Sequence, residues 1–190
     1  MVLDIGANAG YFVMMLFAKT EEATVYAYEP IPSNFALLQQ NIVLNPSLRN
    51  RAHVFNRAVT GIPQDWVELF METNTENPVI ASVYAGFDRQ NRFAPRVPAI
   101  SLLQILEENG IERADLVKID CEGSEYPTIY ETPAACWDKM TVLAIEVLDL
   151  VEQQRNVGYL TGFLESQGYE VVSTPTHGNC HALEARRKKR

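Results

Sequence analysis

Residues 1–12 read MVLDIGANAGYF. Four apolar or acidic residues lead into Ile5, Gly6 and a short turn, and the chain is apolar again from Tyr11. The pattern predicts a buried strand over residues 1–5, a glycine turn, and a helix over residues 11–20. Gly6 is suited to a positive φ, and Gly10 permits close packing or a close ligand. Exposed N–H groups at the helix start are expected to favour a negatively charged group.

The following 43 residues extend the alternation. TVYAY at 24–28 is a second strand, ended by Glu29 and Pro30. Ser33 is the expected cap of a helix running to about residue 44, and residues 52–55 form a third strand. Strand, helix, strand, helix, strand is the start of a doubly wound α/β sheet. Glu29, at the end of the second strand, is placed to accept hydrogen bonds from two ribose hydroxyls.

GANAG lacks the middle glycine that lets a backbone approach a pyrophosphate. Asp4 before the turn repels a pyrophosphate but not a sulfonium. S-adenosylmethionine has no phosphate, and its ammonium and carboxylate suit Asp4, the Asn8 side chain and nearby backbone groups. The turn therefore favours S-adenosylmethionine over NAD. The cofactor-binding set is Asp4, Gly6, Ala7, Asn8, Gly10, Tyr11, Glu29 and Pro30.

Residues 60–98 break the pattern. WVELFMET and VIASVYA read as strands among Pro63, Pro78, Pro95 and Pro98, so the region is an expected insertion of hairpin or irregular structure. Trp66, Phe70, Tyr84 and Phe87 are its candidate acceptor-pocket aromatics. Alternation then resumes, with a helix after Ser101 that stops at Gly110. Strands follow at 115–119 and 141–147. A helix spans 151–167, and a closing pair, 169–173 and 180–184, is joined by THGN.

KIDCEGSEY places Lys118, Asp120 and Glu122 around the carboxyl end of the fourth strand, the edge that faces the ligand crevice. Asp120 and Glu122 are the catalytic candidates, as general base. Magnesium ligation is the less favoured role, since two acids are too few oxygen ligands to define a site. Glu125 reads as a first-turn helix acid. Glu146, an acid inside an apolar strand, needs a partner or a place at the strand's end facing the acceptor. His53 reads as structural. His177 and His181 flank Cys180 in HGNCH, which lacks a fourth ligand and orderly spacing and reads as a turn. No metal site is assigned.

VLDIGANAGYF, VYAYEPIPSNFALLQQNIVLN, RAV and ADLVKIDCEGSEYPTI together resemble the ordered motifs of the FkbM family of S-adenosylmethionine-dependent methyltransferases. The resemblance runs from Val2 to about Glu146 and is weakest over residues 60–98. It implies a class I methyltransferase fold: a Rossmann-like three-layer α/β sandwich around a mostly parallel seven-stranded sheet with one antiparallel strand. It implies O-methylation of a hydroxyl on a small molecule such as a sugar or secondary metabolite. The family usually carries an acid where Leu103 stands, so that acid's task in the pocket or in helix capping is open. The helices that usually precede the first strand are not seen, which leaves a homo-oligomer or partner chain as an expected cover for the cofactor. The alternatives are a non-catalytic binding module of the same fold and, less favoured, an NAD-dependent oxidoreductase.

The 190 residues are 47% hydrophobic and 21% charged, with a net charge of −8. That suits one domain over 1–185 and argues against a nucleic-acid partner for its body. Residues 186–190, RRKKR, read as a disordered basic tail. No apolar run has membrane-spanning length, and no signal peptide is recognised. Three cysteines without zinc spacing fit reduced thiols and a cytoplasmic location.

Overall fold

The computed structural model describes residues 1–72, 81–82, 91–121, 124–150 and 152–189. Tyr84, Phe87 and Glu122 of the sequence reading lie outside them.

The opening unit forms as its pattern predicts. Strand β1 (Val2–Ile5) leads through the turn into helix α1 (Tyr11–Phe17), then to β2 (Val25–Tyr28), α2 (Pro32–Leu44) and β3 (Ala52–Phe55). Helix α2 starts one residue before Ser33, with Pro32 at its first position and Ile31 at the cap. Proline's fixed φ and missing N–H suit that position, so Ser33 is not the cap.

Strands β4 (Ala58–Thr60), β5 (Trp66–Glu72), β6 (Ala81–Ser82) and β7 (Asn91–Ser101) occupy the expected insertion. They form a separate sheet in the order β4-β7-β5-β6. Leu69 and Val97 bury against Ile31 and Ala58. The small sheet is thereby fastened to the loop after β2.

Helix α3 (Leu102–Glu108) follows directly. Ser101 Oγ accepts from the Gln104 amide while Gln104 Oε1 accepts from the Ser101 amide, a reciprocal capping box. That pair caps the helix without the acid that Leu103 replaces, and Leu103 packs against the main core. Strand β8 (Ala114–Ile119), short helices α4 (Glu125–Tyr130) and α5 (Ala134–Trp137), and β9 (Met140–Leu148) follow, and β8 and β9 extend the central sheet.

Helix α6 (Val157–Ser166) is shorter than predicted. Asn156 caps it by accepting from the Tyr159 amide, which fixes its start well after residue 151. Strands β10 (Tyr169–Pro175) and β11 (Cys180–Arg187) close the fold. Arg186 and Arg187 thus belong to a strand, contrary to a tail beginning at 186. Arg187 is held by Asp138 and the Gln167 carbonyl and lies over the Tyr169 ring.

The large sheet has seven strands in the order β10-β11-β9-β8-β1-β2-β3. Strand β11 runs antiparallel to both neighbours, and the other paired strands are parallel. Alternate residues feed two cores, as the two-residue strand period requires. Leu3, Ile5, Val117, Ile119 and Ile145 face one core with α3 to α6. Val2, Val25 and Ala27 face the other with α1 and α2. The carboxyl ends of β1, β2 and β8 therefore meet at one edge.

Candidate functional site

The turn after β1 is bonded from within. The Gly6 and Ala7 amides both donate to Tyr28 O at 3.0 Å, and the Gly10 amide donates to Ala7 O at 2.8 Å. The Asn8 amide donates to Glu29 Oε2 at 2.7 Å, and the Ala9 amide to Asn8 Oδ1 at 2.7 Å. All five amides from Gly6 to Gly10 have protein acceptors. The amides of the turn itself are therefore occupied within the chain, that of Asn8 by the Glu29 carboxylate.

Both glycines are required, for different reasons. At Gly6 (φ +76°) an added Cβ would lie 1.8 Å from the Asp120 carbonyl oxygen. At Gly10 (φ +88°) it would lie 2.6 Å from Leu38 Cδ1. The first lets the β1 turn touch the loop after β8. The second lets α1 pack against α2, so Gly10 serves packing. Asn8 takes φ 50°, a conformation asparagine tolerates better than most residues.

Glu29 is 4% exposed. Its other oxygen accepts from the Ile31 amide at 2.9 Å. Burial raises its pKa, and the Ile31 and Asn8 amides only partly oppose that. Each oxygen retains acceptor capacity toward a ligand.

Lys118 is the hub on the β8 side. Its Nζ donates to Gly6 O at 2.9 Å and lies 3.3 Å from Asp4 Oδ1 and 3.1 Å from Asp120 Oδ2. Burial works against its charge, but Asp4 and Asp120 outweigh it and raise its pKa. Asp4 is fully buried, and the Lys118 ammonium is what its carboxylate meets among the described residues. Desolvation raises its pKa despite Lys118.

A cavity of about 80 Å³ lies among Gly6, Asn8, Glu29, Pro30, Asn34 and Asp120, with Tyr28, Arg57, Leu69 and Cys121 among its other walls. Ordinary ligand sites measure roughly 300–1,000 Å³, so a nucleoside-sized ligand needs these walls to part. Asn34 is 5% exposed, and its Nδ2 has no partner among the described residues. Burial pushes the Tyr28 phenol up to about 12, and burial raises the Cys121 thiol as well, so both stay protonated at neutral pH.

Of the eight predicted cofactor residues, Gly6, Asn8, Glu29 and Pro30 line this cavity. Asp4 and Ala7 are buried in the packing behind it. Tyr11 is 77% exposed and is not among the walls. Asp120 lines the cavity and is one-third exposed. Glu125 does more than start a helix: it is buried and accepts from the Cys121 amide at 2.6 Å, closing the loop after β8.

Sequence reasoning missed Asn34, Tyr28 and Arg57 as walls. Asn34 had a signal, since it ends EPIPSN at 29–34, inside a stretch that carries the family resemblance. Tyr28 and Arg57 have none, because only the sheet order brings their strand ends together.

A second, larger cleft of about 680 Å³ runs between the small sheet and α4. Trp66, Phe70, Arg96, Thr128, Glu131 and Arg155 are among its walls. Trp66 and Phe70, two of the candidate acceptor-pocket aromatics, thus share one cleft.

Comparison with known proteins bears on the fold and the family. The solved FkbM methyltransferase of Methylobacillus flagellatus KT superposes with a TM-score of 0.62 at 16% identity, over 96% of this chain and 42% of that one. The chain therefore spans less than half of that protein. A magnesium protoporphyrin IX methyltransferase from Synechocystis PCC 6803, solved with bound SAM, superposes with a TM-score of 0.53 at 12% identity, over 99% of this chain and 70% of that one. Both share the class I methyltransferase fold.

Among curated proteins, Methyltransferase 1 of Beauveria bassiana (strain ARSEF 2860) is 23% identical, over 90% of this chain and 72% of its own length. The 31-O-demethyl-FK506 methyltransferase FkbM of Streptomyces tacrolimicus is 26% identical, over 90% and 73%. The methyltransferase FkbM domain matches residues 4–171. With that match across nearly the whole chain, the protein belongs to the FkbM methyltransferase family.

Proposed function

We propose that this chain binds S-adenosylmethionine at the edge formed by β1, β2 and β8 and methylates a hydroxyl oxygen of a small molecule. The observation that carries the cofactor reading is the Glu29 carboxylate seated against the Asn8 amide. It holds the end of β2 against the β1 turn and leaves acceptor oxygens for a ribose diol. The residues present fit the group in two further ways. Asp4 and Asp120 together outnumber the single Lys118 ammonium between them, and that net negative charge suits a cationic ligand beside the cavity. Asn34 has a buried donor lacking an acceptor, facing the same cavity as Glu29.

S-adenosylmethionine supplies a methyl group already activated by a sulfonium, so the protein's task is orientation and proton removal. Asp120 is the proposed base: it is part exposed, at the cavity wall, and takes the acceptor's hydroxyl proton. Lys118 fixes the Asp120 carboxylate and ties it to the β1 turn through Gly6 O. The wide cleft beside α4 is the proposed acceptor site. Its Trp66 and Phe70 offer flat apolar faces, and its arginines and Glu131 offer polar contacts. The Streptomyces relative, named as a 31-O-demethyl-FK506 methyltransferase, supports the hydroxyl reading.

The test is incubation with methyl-labelled S-adenosylmethionine and a panel of hydroxylated and amine-bearing small molecules, read by mass spectrometry. Label on oxygen is expected. Label only on nitrogen or carbon would overturn the acceptor class, and no label with a tightly bound cofactor would favour the non-catalytic module.

A further inference from the structure

HGNCH reads as a turn in sequence because no further ligand stands near it, but the fold supplies one. Strand β9 brings Glu146 to the β10-β11 hairpin, where its carboxylate, the His177 imidazole and the Cys180 sulfur lie within 4.8 Å of one another. We propose that Glu146, His177 and Cys180 form a binding site for a zinc-type divalent cation, with water in the fourth position.

Three observations support it. First, the register pairs Cys180 with Leu148 and Ala182 with Glu146. Cys180 and Glu146 are therefore diagonal neighbours on one face of an antiparallel pair, within reach of long side chains. Second, the turn that carries His177 is held in place. The Asp149 amide donates to Asn179 O at 2.8 Å, and Asn179 Nδ2 returns a bond to Asp149 O at 2.9 Å. The Cys180 amide donates to His177 O at 2.9 Å, and the Thr176 amide to Cys180 O at 3.0 Å. The backbone thus pre-orders two ligands against the strand that carries the third.

Third, the donor set is specific. Thiolate, imidazole and one carboxylate match the tetrahedral preferences of zinc, whereas magnesium prefers all-oxygen sites. Zinc ligand atoms stand about 3.3–3.8 Å apart at bond lengths of roughly 2.0–2.3 Å, so small side-chain rotations close the set. Glu146 and His177 are exposed and can make them, and Cys180 is half-buried and outside any disulfide. His181 is not a member. It pairs with Val147, on the other face, and contacts Ser173 Oγ through Nδ1 at 3.2 Å.

The site lies at the same sheet edge as the crevice. Ile119 pairs with Ile145, so Asp120 and Glu146 each stand one residue beyond that pair on adjacent strands. A bound cation there would clamp the closing hairpin to β9.

The test uses untagged, metal-stripped full chain titrated with zinc against a chromogenic chelator, and with cobalt as a spectroscopic probe. One equivalent of zinc is expected at micromolar concentration, and cobalt is expected to give a thiolate charge-transfer band. Cys180→Ser should abolish the band, and His177→Ala and Glu146→Gln should each weaken zinc binding, while Cys121→Ser leaves the band intact. Thermal unfolding of the metal-free variants checks that they fold. The Glu146→Gln change is on an exposed side chain and serves where Cys180→Ser does not fold. Absence of stoichiometric zinc, or a band that survives Cys180→Ser or follows Cys121→Ser, would overturn the proposal.

Discussion

Glu29 Oε2 accepts the Asn8 amide at 2.7 Å, joining the end of β2 to the turn after β1. One carboxylate thereby has two tasks, holding the turn and offering acceptor oxygens to a ribose. Glu29→Ala leaves the Asn8 and Ile31 amides without their acceptor, at about 1–3 kcal/mol for each that stays buried. Stability and cofactor affinity should both fall, affinity by about ten- to a hundred-fold. Denaturant unfolding and calorimetry on one preparation check this; unchanged affinity in a folded variant would remove Glu29 from the site.

Asp4 gives a pH prediction. Its folded pKa lies above the ordinary 3.8, chiefly through desolvation. Between the unfolded and folded values the native state binds more protons, so stability falls as pH rises through that window. Asp4→Asn should flatten this part of the profile and leave the apo protein at least as stable at neutral pH, while weakening cofactor binding. Thermal unfolding across pH, compared between wild type and variant, reads it. An unchanged slope would contradict the assignment.

Asn34 separates binding from folding. Its Nδ2 is already unpartnered and buried, so Asn34→Leu removes an unsatisfied donor. Apo stability should hold or rise, and cofactor affinity should drop. A stability loss without an affinity change would make Asn34 a packing residue only.

Asp120→Asn keeps the side chain's shape and removes its charge. Turnover should drop by about 10²–10⁴, with cofactor affinity little changed. Near-normal turnover would leave Asp120 as a loop anchor held by Lys118. Loss of wild-type activity in EDTA with rescue by magnesium would move it from base to ligand.

Much of the large sheet was legible because each strand carries its own local signal. Residues 52–55 and the Gly110 stop needed nothing beyond apolar runs and turn residues. Ser33 misled because proline one position earlier is the stronger helix start. Residues 152–156 misled because their composition continues a helix that Asn156 actually begins. In the site, Asp4, Gly6 and Glu29 stand out by type and spacing. The remaining contacts are non-local: the Gly6–Asp120 approach, the Lys118 bridge and the meeting of Glu146 with His177 all arise from strand order. No spacing along the chain encodes them.

The Gly6–Asp120 approach is itself testable. Gly6→Ala would place a methyl group 1.8 Å from a backbone oxygen at φ +76°. The β1 turn and the loop after β8 cannot then keep their contact. The variant should be strongly destabilised or should lose cofactor binding, as read by thermal unfolding and calorimetry. A stable Gly6→Ala with normal affinity would contradict the described turn.

The most direct measurement is calorimetric titration of the wild-type chain with S-adenosylmethionine, S-adenosylhomocysteine and NAD under one set of conditions. A turn whose own amides are bonded within the chain, and which lacks the middle glycine of a dinucleotide fingerprint, predicts saturable binding of both S-adenosyl ligands and none of NAD. Binding of NAD in preference to either would contradict the account.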